Sequence, residues 1–268
     1  DRMIFSTKNK KKNEISIYKS QLSGKLATFD GEIYYSVDST KGKGDFKFTD
    51  AILNDTAKGF DFYKTTFETK TCNFVLQISQ KTNFSTKNLN GKVDIPEQLG
   101  SFYSNADTSR IYFSNNRYFC IMDHFLWKIG EGIVSIGGIM PGKDSTNYVS
   151  SIEEKKSKKN ENIKLFGTIL VNIDDTLTFN AATTTYKINE QKIIAENVQK
   201  IKIADANIYP QGTVTILTGG TIDTLKQISF EFPFNIFDDN KPTQNTFLLH
   251  HADVIIKNRY NYSASKST

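Results

Sequence analysis

The chain is poor in the residues that most often carry chemistry: its 268 positions include two cysteines, three histidines, three methionines, one tryptophan and five prolines. Cys72 and Cys120 are too few and too widely spaced for a zinc framework, which leaves two buried thiols or one bridge. Both lie in apolar stretches, where a thiol acts as a small core side chain rather than a reactive group. His124, His250 and His251 make no metal site on their own. The adjacent pair faces opposite sides of a strand unless a bulge intervenes, and the pattern supplies no converging third ligand. No apolar run approaches the about 18 residues of a membrane-spanning helix. Nor does the chain open on a basic region followed by an apolar one. It begins at Asp1 and stops at Ser-Lys-Ser-Thr within a strand-like pattern, so the expectation is an internal fragment of a longer protein.

Charge is equally uninformative about partners. A net charge of +5 arises from 34 basic and 29 acidic residues that are largely interspersed. Lysine is dense only at Lys8-Asn9-Lys10-Lys11-Lys12 and within residues 153–159, both in loop-like sequence. With no RNP-type, helix-turn-helix or finger pattern, nucleic acid is not an expected partner.

What the chain does have is aromatic and β-branched side chains, with 20 Phe and 12 Tyr. These suit a pleated, half-buried surface. Period-two alternation recurs along the sequence: Phe29, Ile33 and Tyr35 share one parity, as do Val214 and Ile216, with Thr213 and Thr215 opposite them. Residues 200–208 read as one strand, with Lys200, Lys202, Ala204, Ala206 and Ile208 on one face, ended by Pro210-Gln211-Gly212. Phe46, Phe48 and Ile52 likewise read as one face, opposite Lys47, Thr49 and Ala51. The two segments share an Asp-Ala after alternating apolar residues, a faint internal echo. Sustained helical stripes are missing. The fold expected is all-β with little helix: extended or stacked multi-stranded sheets, as in an elongated sandwich or a solenoid. Residues 141–162, highly charged and poor in apolar side chains, are expected to form an exposed loop between β-rich segments at 1–140 and 163–268.

Each candidate for chemistry has a simpler structural reading. Residues 214–222, VTILTGGTI, resemble the nucleophile turn of bacterial-type asparaginases, but the second threonine-aspartate-lysine constellation of that family is absent and the surroundings are β. Gly219-Gly220 is therefore expected to be a tight turn. Asp123-His124 has no Gly-x-Ser-x-Gly elbow to serve. Asp174-Asp175 and Asp238-Asp239 lack EF-hand spacing and read as turn carboxylates that cap strand ends. Trp127, among Phe125, Leu126 and Ile129, reads as core, its indole nitrogen meeting one partner. The alternative places Trp127 with Tyr34, Tyr35 and Tyr209 as exposed rings for a glycan, or lines an apolar lipid groove with Phe46, Phe48, Phe74 and Ile201.

Five stretches together are similar to the very large, β-rich, uncharacterised envelope proteins of Bacteroidota-type bacteria. They are GKGDFKFTDAI at 42–52, VDIPE at 93–97, residues 123–137 around Trp127, IKIADANIYPQGTVTI at 201–216 and HADVIIKNRY at 251–260. The resemblance implies a non-catalytic structural or scaffolding segment, extracytoplasmic, repeat-like and without a cofactor. Its expected partners are adjacent β segments of the same parent protein or other envelope proteins, with glycan or lipid as alternatives. Strand edges left open by excision are expected to self-associate.

Overall fold

The computed structural model describes residues 14–23, 26–36, 38–78, 81–106, 109–122, 124–137, 168–204, 206–210, 212–238 and 241–266. The expected loop at 141–162 and the lysine cluster at 8–12 lie outside them, as do Asp123 and Asp239. The described chain is all-β and antiparallel throughout its recorded ladders, with two 3-10 turns at Ser114–Asn116 and Thr218–Gly220. It divides into two compact units. The first holds residues 1–114 and 121–134; the second holds 115–120 and 135–268.

The first unit contains β1 (Glu14–Ser23), β2 (Ala27–Ser36), β3 (Thr40–Phe48), β4 (Ala51–Phe62), β5 (Thr66–Ile78), β6 (Lys81–Asp94), β7 (Leu99–Ser104) and β8 (Ser109–Phe113). β9 (Tyr118–Met122) spans the division, β10 (His124–Lys128) returns to the first unit, and β11 (Ile133–Ile136) spans the division again. Strands β1 to β7 form a meander in which each pairs with the next, and β10 pairs with β7. Its interior is aromatic. Phe74 sits at its centre, with ring centroids 5.1 to 5.7 Å from Phe84, Phe102, Phe125 and Trp127, mostly edge-to-face. Edge-to-face contact suits rings whose faces are negative and edges positive.

The second unit contains β12 (Thr168–Asn172), β13 (Thr178–Ala181), β14 (Thr183–Lys187), β15 (Lys192–Val198), β16 (Ile201–Ile203), β17 (Ala206–Tyr209), β18 (Gly212–Ile216), β19 (Leu225–Asp238), β20 (Lys241–Asn258) and β21 (Asn261–Lys266). One ladder runs β12-β13-β16-β17-β19-β20-β21, and a second runs β14-β15-β18. Here the interior is mainly aliphatic, with Ile193, Val198, Ile201, Ile203, Ile208, Val214 and Ile216 fully buried.

The alternation at 213–216 matches the expectation, since Val214 and Ile216 are buried and Thr213 is exposed. Residues 200–208 do not form one strand. They form a hairpin in which Ile201 pairs with Ile208, Lys202 with Asn207 and Ile203 with Ala206. Ala204 occupies the turn at φ 44°. Ile201 and Ile203 are buried before the turn and Ala206 and Ile208 after it, so the parity of the apolar positions switches where the chain reverses. The same correction applies at 46–53. Phe46 pairs with Leu53 and Lys47 with Ile52, which puts Ala51 and Leu53 inside and leaves Ile52 only part-buried. The echo between FKFTDAI and IKIADAN is thus a repeated hairpin register, one copy in each unit: in both, a lysine faces the residue five positions on.

Bulges bend several strands. Asn88, Asn197, Gln227 and His251 all have positive φ and lie where the pairing slips. The residues skipped by a bulge turn into the left-handed region, which Asn tolerates better than most.

Candidate functional site

Polar groups drawn into the first unit hold turns. Asp55 opens the bulged segment of β4 and is 1% exposed. Its carboxylate accepts from the backbone N–H groups of Ala57 (3.2 Å) and Lys58 (3.0 Å), from the Thr69 hydroxyl (2.7 Å) and from the Thr71 hydroxyl (3.1 Å). Burial works to raise its pKa, but the amides of Gly59 and Lys58 with the Thr69 and Thr71 hydroxyls outweigh it and hold the group below the usual carboxylate range. Gly59 closes this segment at φ 80°; a side chain there would meet the Gly42 carbonyl oxygen at 2.4 Å, so only glycine fits.

Trp127 has no exposed surface. Its Nε1–H donates to Asp50 Oδ2 at 3.2 Å, and its ring meets Phe48 edge-on at 4.9 Å. Asp50 lies at the turn between β3 and β4. Burial raises its pKa, opposed by the Trp127 hydrogen bond and by the amides of Gly130 and Gly132.

In the second unit the connection between β12 and β13 is tied by side chains. Asn172 accepts from the Asp174 N–H at 2.8 Å, and Asp175 accepts from the Leu177 N–H at 2.9 Å and the Arg259 N–H at 2.5 Å. Arg117 forms a two-pronged ion pair with Asp174. The pair is exposed and screened, so it contributes little beyond orienting the loop. The Gly219-Gly220 segment is a tight 3-10 turn closed by an Ile216–Ile222 bridge, with Gly219 at φ 76° and Gly220 at φ 85°. Thr221 donates its hydroxyl to the Thr218 carbonyl at 3.3 Å. His251 does sit at a bulge, yet among the described residues no group of three or more His, Cys, Asp or Glu gathers to hold a metal.

The sequence-nominated ligand residues do not converge. Burial removes Trp127 from any surface stacking platform, because a ring packed against Phe48 and Phe74 has no free face. Phe48, Phe74 and Ile201 are likewise buried, so they cannot line an open groove, and Ile201 belongs to a different unit from the two phenylalanines. Phe46 is part-buried in a stack on Phe67 with centroids 4.1 Å apart. Tyr34 donates to its neighbour Glu32 on β2, and Tyr209 donates to Glu231 in the other unit. Tyr35 is the exposed member of the set, at 53%.

A different surface stands out. The β19–β20 hairpin runs from the Leu225–Val254 pair to the Asp238–Lys241 pair. Among the described residues, β17 pairs with β19 at Ser229, Phe230 and Glu231, and β21 pairs with β20 over Ala252–Asn258. Beyond those limits the hairpin is a two-stranded arm. Phe247 (53%) and Leu248 (49%) are exposed on it although consecutive residues point to opposite faces, so both faces of the arm meet solvent. Ile255 is exposed further along the same strand, at 46%. An all-β chain was expected, but not the exposure of this hairpin. The available signal was the adjacent apolar run Phe247-Leu248-Leu249, which breaks alternation where a one-sided strand would keep it.

No family model matches this chain, and comparison with curated proteins and with solved structures likewise found no match.

Proposed function

We propose that this chain is a non-catalytic structural β segment of a large extracytoplasmic envelope protein, extending or scaffolding an assembly through stacked antiparallel strands. The observation that carries this reading is the use made of its interior polar groups. Asp50 and Asp55 anchor the turns and bulges of their own sheet, and Asp175 does the same at the β12–β13 connection. The two thiols are buried, and burial pushes each up to about 12, far from a thiolate nucleophile at neutral pH. Thr218 and Thr221, the residues of the amidase-like turn, lie exposed on a glycine turn. Antiparallel layers over a dry interior suit load-bearing or spacing roles, in which stiffness matters more than a pocket.

The test is fractionation of the source cells with an antibody to this chain, followed by protease treatment of intact and permeabilised cells. Recovery in the envelope fraction, with cleavage once the outer barrier is opened, is the expected result. A freely soluble cytosolic pool would sink the proposal.

A further inference from the structure

We propose that Asn261, at the start of β21, is the acceptor of an N-linked glycan, with Ser263 as the hydroxyl that the transferase reads. The acceptor pattern is Asn-x-Ser/Thr with any residue but proline in the middle. The chain holds three such triplets: Asn54-Asp55-Thr56, Asn83-Phe84-Ser85 and Asn261-Tyr262-Ser263. Sequence alone does not rank them; the fold does. Asn83 is 1% exposed, and the Phe84 and Ser85 that follow it are paired on both sides, with Leu76 and Val75 of β5 and with Phe113 and Tyr112 of β8. Asn54 lies between Asp45 of β3 and Asn73 of β5, and its amide nitrogen already donates to Asp45 Oδ1. Its middle residue, Asp55, is the buried anchor of the β4 bulge. Neither amide is open to an enzyme in the folded chain.

Asn261 differs on each count. It follows the tight turn that joins β20 to β21, where Asn258 pairs with Asn261. Exposure then alternates along the strand: Asn261 and Ser263 are exposed, and Tyr262 between them is part-buried with its ring 5.8 Å from Phe230. Residues two apart on a strand share a face, so the amide and the hydroxyl are presented together while the middle side chain holds the strand to its sheet. The turn is tied as well, since the Arg259 N–H donates to Asp175 and its guanidinium donates to the Thr176 hydroxyl. Two exposed apolar side chains flank the acceptor. Tyr260, immediately before it, is the most exposed large apolar side chain among the described residues, at 73%, and Ile255, which pairs with Ser263, is exposed too. A sugar ring has an apolar C–H face beside its hydroxyls, so one anchored at Asn261 is placed to cover surface that the bare chain leaves wet.

The reaction joins Asn261 Nδ2 to C1 of an activated sugar, a glycosyl phosphate or pyrophosphate carried on a lipid. The N–C1 bond forms as the C1–O bond to phosphate breaks; the phosphate leaves with the electron pair, and one amide proton passes to a base of the transferase. The site rests on the extracytoplasmic reading, because this pattern is an acceptor in exported chains. The protein is purified from its source cells, digested with trypsin and read by tandem mass spectrometry. Cleavage after Arg259 and Lys266 isolates residues 260–266, YNYSASK, in which Asn261 is the single asparagine. The expected result is a sugar increment on Asn261 that is lost in Asn261→Gln and in Ser263→Ala and kept in Ser263→Thr, with the peptides holding Asn54 and Asn83 at their bare masses. Both substituted positions are exposed, and circular dichroism confirms that each variant keeps the fold. Any of four outcomes overturns the proposal: a bare peptide 260–266 in the wild type; an increment that survives Ser263→Ala; an increment mapped to Ser263 or Ser265 instead; or an equal one at Asn54 or Asn83. Fractionation separates this failure from that of the reading beneath it. A bare peptide in protein recovered from the envelope rejects the site and leaves the scaffolding reading standing, whereas a bare peptide in a cytosolic pool rejects both.

Discussion

The two units fill similar antiparallel frameworks with different side chains. The first packs rings against rings: Phe74 alone meets Phe84, Phe102, Phe125 and Trp127. The second relies chiefly on isoleucine and valine, with Tyr118, Phe179, Tyr186 and Phe230 as its larger buried side chains. Flat rings have few rotamers and fixed edge-to-face preferences, so one ring position constrains the next. Branched aliphatics gain their order from stiff χ1 angles and can be exchanged for one another at little cost. An aromatic core is therefore the more brittle of the two, and an aliphatic core the more forgiving.

The largest test of that contrast is Phe74→Ala, expected to destabilise the first unit by about 3–5 kcal/mol, against about 0.5–1.5 kcal/mol for Ile208→Val in the second. Hydrogen exchange followed peptide by peptide assigns each loss to its unit. Equal costs for Phe74→Leu and Ile208→Leu would remove the distinction.

Next comes Asp55→Ala, which leaves buried turn amides and two threonine hydroxyls without their acceptor and is expected to cost about 2–3 kcal/mol. Its pH dependence has a definite sign. The folded pKa lies below the unfolded one, so the stabilisation is complete above the unfolded value of about 4 and is lost as pH falls through the folded value. Asp50 works the other way. Its folded pKa is raised, so ionisation weakens the fold as pH rises through that value, and acidification first relieves this penalty before Asp55 gives way. Denaturation midpoints measured across pH should show a rise and then a fall on the acid side, with the rise missing in Asp50→Asn and the fall reduced in Asp55→Asn. The sole tryptophan reads this transition in the first unit.

A smaller loss, about 1–2 kcal/mol, is expected for Trp127→Phe, which keeps a ring in the core but removes the donor to Asp50. Double-mutant analysis with Asp50→Asn should return a coupling; additive effects would mean that the hydrogen bond is not what ties the turn to the core.

The smallest effect is a gain. Ala204 holds φ 44° in the β16–β17 turn, a conformation glycine adopts without strain. Ala204→Gly should stabilise that hairpin by up to about 1 kcal/mol, visible as slower exchange in β16 and β17. A loss there would show that the turn is shaped by its surroundings rather than by its own backbone preference.

Much of the fold was legible because alternation is local. Val214 and Ile216 against Thr213 follow the pleat with no outside help. The two misread hairpins show where locality fails. Read with a single parity, IKIADANI suggests one strand, but its apolar residues move from odd to even positions at Ala204, and that shift was the visible mark of a reversal. The bulges were harder to see. Asn88, Asn197 and His251 are of residue types enriched at positive φ, whereas Gln227 carries no such signal and adopts it because the β19–β20 pairing demands it. The aromatic ligand set dispersed for a related reason: sequence spacing says that Trp127 and Phe48 are apolar, not whether a partner strand covers them. Exposure of the arm depends on where β17 and β21 stop pairing, a property of neighbouring strands and not of residues 243–251 themselves.

The buried thiols have one more consequence. Cys72 belongs to the first unit and Cys120 to the second, and neither is reachable by an alkylating reagent while its surroundings remain closed. Each unit thus contains a natural timer: the rate at which its single thiol is trapped counts openings of that unit alone, with no label to be engineered.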